Sequence, residues 1–115
     1  MIKVNIKPLS VNDAWKGKRF KTKEYSIYEK NVLFLLPKIT IGAAPYCLSI
    51  DFYFSSEASD IDNPLKPFID VLQKKYGIND KQINKLIVEK FKVKKGDECI
   101  CFRIDSMWTQ NEIIK

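Results

Sequence analysis

The chain has no histidine among its 115 residues. That removes Ser-His and Cys-His nucleophilic pairs and every zinc site that depends on imidazole. There are only three cysteines, Cys47, Cys99 and Cys101. An odd and small number does not make a disulfide framework. Cys99 and Cys101, two apart in a strand, share one face; without further soft ligands they read as buried reduced thiols. No apolar run is long enough to span a bilayer, and the Val32–Leu36 run stops at Pro37. The segment Met1-Ile2-Lys3-Val4 lacks the apolar stretch of a secretory leader. No membrane partner is therefore expected, and the cytoplasm is the expected location. Any chemistry must run on carboxylates, lysine or tyrosine.

What is present is ample apolar residue for one core. Hydrophobic residues make up 45% and charged residues 30%, the balance of a globular domain rather than a disordered chain. The length suits a single domain over residues 1–115. Lys and Arg outnumber Asp and Glu by 20 to 14, for a net charge of +6. That excess favours an acidic partner such as nucleic acid.

Periodicity marks the elements. Ile2, Val4 and Ile6 alternate with polar residues, as in a half-buried strand ended by Pro8. Residues 10–23 are polar and basic and read as a loop. Residues 24–36 read as a helix with Tyr25, Tyr28, Val32 and Leu35 inward, widened by Ile27, Leu33 and Leu36. Residues 46–54 alternate as a strand, with Leu48, Ile50, Phe52 and Phe54 on one face. A second helix runs to about Tyr76, with Phe68, Val71, Leu72 and Lys75 inward and Gly77 as its stop. Residues 86–93 and 98–104 read as strands joined by a hairpin-like turn at Lys94-Lys95-Gly96-Asp97. The expected fold class is α+β: a mixed, mainly antiparallel sheet of about four strands with two principal helices.

The most informative segment is Asp60-Ile61-Asp62-Asn63-Pro64-Leu65-Lys66, followed by Asp70 and Asn79-Asp80. Acids gathered in a basic protein either bind a cation or are dispersed as caps and surface pairs. In an extended chain Asp60 and Asp62 point to one side with Cα atoms roughly 6–7 Å apart. Their carboxylates suit a hard cation such as magnesium, which takes oxygen ligands and keeps several waters. Asp80, beyond the helix, is placed to add a third ligand from the opposite wall. Lys66 can face the same site and offset negative charge during phosphodiester cleavage. Also open on spacing alone are plain structural roles. Asp62 or Asn63 is a good helix cap, Asp80 another, and Asp70 has Lys66 and Lys74 four residues to either side.

The run Asp60-x-Asp62-Asn63-x-x-Lys66-x-x-x-Asp70, then Gly77-Ile78-Asn79-Asp80-x-x-Ile83, closely resembles the signature of RusA-type Holliday-junction resolvases. Pro8-x-Ser10-x-Asn12-x-x-Trp15, a basic loop and a tyrosine-bearing helix also look like the start of that family. The resemblance covers roughly residues 5 to 93 of the chain. It implies that Asp60, Asp62 and Asp80 are metal-binding catalytic acids and Lys66 the catalytic lysine. Asp70 and Asn63 would stand beside the site. Asn79 occupies the first of two positions where the family often carries adjacent acids.

The implied activity is magnesium-dependent nicking of four-way DNA junctions by a homodimer, with manganese as a possible substitute. Lys16, Lys18, Arg19, Lys21 and Lys23, interleaved with Trp15 and Phe20, would contact DNA. A solvated charge run is the plainer reading of that loop. Two rival functions stand beside the first: a non-catalytic DNA- or RNA-binding protein of the same fold, and a nuclease for other branched DNA.

Overall fold

The computed structural model describes residues 1–9, 15–16 and 20–108, apart from the side chains of 15–16 and 20–21. The chain runs through β1 (Ile2–Val4), a minimal ladder of β2 (Trp15–Lys16) with β3 (Phe20–Lys21), and helix α1 (Lys23–Leu35). Then come β4 (Tyr46–Phe54), helix α2 (Leu65–Tyr76), a 3-10 turn at Asp80–Gln82, β5 (Ile83–Lys92) and β6 (Cys99–Ser106).

Local chemistry sets the helix limits. Thr22 caps α1, its Oγ1 accepting from the amide of Tyr25 at 3.1 Å. Pro37, which cannot continue a helix, follows the last turn. Gly77 ends α2 in the left-handed region at φ 69°, where a Cβ would be strained, and its N–H reaches the Gln73 carbonyl. Lys74 and Lys75 in the last turn suit the negative end of the helix dipole.

Four strands form one sheet in the order β1-β6-β4-β5. β1/β6 and β6/β4 are antiparallel, whereas β4/β5 is parallel, with α2 as the crossover. The fold class expected from the sequence is therefore the one observed. The hairpin expected between β5 and β6 is not formed, because β4 lies between them. Leu48, Ile50 and Phe52 of β4 are fully buried. A strand that apolar belongs at the centre of a sheet, and that outweighs the local pairing the turn would favour. β5 also begins three residues earlier than expected, since Ile83 already pairs with Tyr46.

Both helices contribute to a core on one face of the sheet. Tyr28, Val32 and Leu36 of the α1 segment and Phe68, Val71 and Leu72 of α2 meet Val4, Ile50, Ile100 and Phe102. Ile27 and Leu35, expected inward, are instead exposed on α1. Lys75 is only half-buried and donates to the Leu33 carbonyl at 3.4 Å. The cysteines are free; Cys99 is buried, while Cys47 and Cys101 are half-buried.

Phe68 stands edge-on to Phe52 and Phe102, with ring centroids 6.2 and 5.5 Å away. Phe68→Ala leaves a cavity at this junction of helix and sheet. We expect a loss of about 3–5 kcal/mol, read from the denaturant midpoint.

Candidate active site

The segment from Ser55 to Pro64 leaves the carboxyl end of β4, where parallel strands of α/β sheets present their functional loops. Asp60 and Asp62 are both exposed here. Asn63 donates from Nδ2 to Asp60 Oδ2 at 3.4 Å. The backbone turns at once, with the Leu65 amide reaching the Asp62 carbonyl at 3.2 Å. The N-cap of α2 is Pro64, with no side-chain capping bond. Neither Asp62 nor Asn63 is therefore spent as a helix cap. The carboxylate of Asp62 has no hydrogen bond or ion pair among the described residues and faces solvent.

Two lysines of β5 brace this loop. Lys90 donates to the Ser59 carbonyl at 2.7 Å, and Lys92 pairs with Glu57 at 3.0 Å. Their bracing partners lie 31 and 35 residues away, so no local pattern announces them.

Lys66 sits in the first turn of α2, its side chain 64% exposed, 3.5 Å from Asp70. Asp70 is one turn deeper and faces the contact between the helices. There Tyr25 has its hydroxyl pKa pushed up, chiefly by burial and then by the charges of Asp70 and Glu29. Of the two lysines flanking Asp70 in sequence, Lys74 goes to Glu29 instead, at 3.0 Å.

Asp80 lies elsewhere. Asn79 caps the 3-10 turn, accepting from the Lys81 amide at 3.0 Å while its own N–H reaches Gln82 Oε1. The capping role considered for Asp80 therefore belongs to Asn79, and Asp80 is exposed. It precedes the first residue of β5, whereas the Asp60 loop is tied to the last residues of that strand. From Ile83 to Lys90 a strand advances about 23 Å. Within one chain, Asp80 is thus not on the facing wall of the Asp60–Asp62 cluster. Among the described residues, no three Asp, Glu, Cys or His converge on a metal position.

Of the basic-loop residues, Lys23 is exposed at the start of α1. Lys16 and Lys21 belong to the β2–β3 ladder, in which Trp15 pairs with Lys21 and Lys16 with Phe20. Lys18 and Arg19 lie outside the described residues. Residues 15–16 and 20–21 are thus a ladder within the stretch expected to be a loop.

Among the described residues the far edge of the sheet is β5, ten residues long and hydrogen-bonded to β4 alone within the sheet. It exposes Leu86, Ile87 and Phe91. A long apolar edge of this kind is a template for pairing with another strand.

Exposed carboxylates near an exposed lysine, on a basic protein, are groups that suit phosphate-ester chemistry. The family of endodeoxyribonuclease RusA matches residues 10–100, and the chain belongs to that family of DNA-cutting enzymes. A comparison with curated proteins found no match.

Proposed function

We propose that this protein is a magnesium-dependent endonuclease that resolves four-way DNA junctions as a homodimer, with sites completed across the subunit contact. The observation that carries the reading is the division of the acids between the two ends of the free edge strand β5.

Two copies pairing antiparallel through β5 form one eight-stranded sheet. The start of each β5, with Asp80 before it, then lies beside the end of the other, where Lys90 holds the Asp60 loop. One register is self-complementary. With Ile87 opposite its own copy on the two-fold axis, Leu86 faces Val88, Lys85 faces Glu89 and Ile83 faces Phe91. Apolar residues then meet apolar ones, and two Lys–Glu pairs form across the contact.

In that dimer Asp60 and Asp62, together with Asp80 of the partner subunit, would hold magnesium, with manganese as an alternative. The donor set fits: the ligands are hard carboxylate oxygens, and their exposure leaves room for the waters such an ion keeps. The bound ion supplies a readied water and charge compensation on the phosphate. Asn63, donating to Asp60, fixes the direction of that carboxylate. Lys66 places a positive charge where negative charge builds on the phosphorus oxygens, and Asp70 restrains its side chain. Lys16, Lys18, Arg19, Lys21 and Lys23 supply backbone attraction. Two sites related by two-fold symmetry match the paired nicks that junction resolution needs.

The test is cleavage of labelled four-way, forked and linear DNA with and without magnesium. We expect symmetric paired nicks in the four-way junction only with the metal. Faster cutting of forks or flaps would reassign the substrate to other branched DNA. Lys66→Ala should slow single-turnover cutting by on the order of 100-fold while leaving junction affinity nearly unchanged. Normal cutting with weakened binding would make Lys66 an ordinary phosphate contact.

A further inference from the structure

Beside the acidic loop is a cleft of about 360 Å³ whose walls come from three distant parts of the chain. Phe54, at the end of β4, and Pro64 give it buried apolar lining. Asn63, the residue that touches Asp60, lines it as well. Lys7, beyond β1, and Glu98, just before β6, bring one charge of each sign.

Glu98 is held firmly. Its Oε2 accepts from the Ser55 hydroxyl at 2.8 Å and its Oε1 from the Gly96 amide at 2.7 Å. Its own backbone amide, Ser55 and Gly96 keep its carboxyl below the usual carboxylate range, and Lys7 adds to this. It is therefore an anion at neutral pH, with lone pairs left to accept further hydrogen bonds.

A cation, a fixed anion and an apolar lining in a volume of this size suit one nucleotide. The phosphate matches Lys7 and an amino group on the base edge matches Glu98, above a floor formed by the nearly buried Phe54 and Pro64. We propose that this cleft takes the nucleotide next to the scissile phosphate, and that Glu98 selects a base bearing an exocyclic amine over thymine. The proposal rests on the junction-cutting function above. At a branch point a base has lost part of its stack, so moving it into a cleft costs less than from an intact duplex. Cytosine, adenine and guanine present amino donors that a carboxylate accepts. Thymine carries no exocyclic amine, and its one edge donor, N3–H, lies between two carbonyls that a carboxylate repels.

The experiment uses four-way junctions carrying each base in turn at the nucleotides flanking the cut. Cleavage is measured in magnesium, and binding is measured separately without divalent metal, using the wild-type protein and Glu98→Gln. With the wild type, thymine at the selected position should lower cleavage and binding by roughly 10- to 100-fold, the worth of one well-placed base contact. Glu98→Gln keeps an acceptor for the latch but adds an N–H donor. It should flatten that preference or turn it toward thymine.

If Glu98 is only a latch between Ser55 and the Gly96 turn, the substitution lowers thermal stability or slows all substrates alike. Unchanged base ratios in the variant therefore overturn the proposal. If the wild-type protein cuts no junction at all, the functional reading fails, and the binding ratios still decide the cleft. Equal binding of all four bases by the wild type overturns it.

Discussion

Mixing chains that carry Asp62→Asn with chains that carry Asp80→Asn should restore DNA cutting that neither chain supports alone. Each substitution removes a negative charge while keeping the side chain's size, and both residues are exposed. Stability should change by no more than about 0.5 kcal/mol, the usual range for surface positions. Alone, each homodimer should lose cutting by on the order of 100-fold or more. In a mixed dimer both lesions fall in one composite site, and the other site is intact. Random exchange makes about half the dimers mixed, so about a quarter of the sites survive. A mixed dimer has one working site and should therefore nick one strand without resolving the junction. Gel separation of nicked and resolved products distinguishes these outcomes. If the acids of one site all came from one chain, every site in a mixed dimer would carry a lesion. An absence of recovery would thus remove Asp80 of the partner subunit from the site.

Ile87→Lys should convert the protein to a monomer and abolish junction resolution. Ile87 is 43% exposed in the single chain, so the substitution disturbs little of the core. In the proposed dimer it puts two ammonium groups opposite each other on the two-fold axis, replacing an apolar pair with like charges. Sedimentation at working concentration reads assembly, and paired-nick mapping reads function. The register has its own check. Lys85→Glu alone should weaken the dimer by setting Glu against Glu89. Adding Glu89→Lys should restore the opposite-charge pairing and, with it, the dimer and its activity. A stable, active dimer of Ile87→Lys would place the subunit contact on another surface.

Several features were legible in the chain because they depend on neighbours in sequence. Alternation over residues 46–54 identified a strand, and helical spacing with Gly77 identified α2. The Asp60–Asp70 run with its lysine pointed to one family, and the family match over residues 10–100 agrees. The absence of histidine confined the chemistry to carboxylates, lysine or tyrosine.

Order and distance were not legible. A turn at residues 94–97 looks like a hairpin locally, yet β4 takes the place between β5 and β6, because burial of its apolar residues is decided by the whole sheet. Asp62 looks like a helix cap as much as a ligand, and only the α2 start at Leu65 shows its carboxylate free of that duty. Spacing places Asp80 shortly after a helix but not at which end of the sheet that helix delivers it. A parallel crossover carries the chain back along the length of the strand, so Asp80 ends up beside the start of β5, far from the loop that follows β4. Composition, periodicity and motif were thus determined by the sequence alone. The separation of the acids, and the free strand edge that could bring them together in pairs, were decided by the tertiary structure.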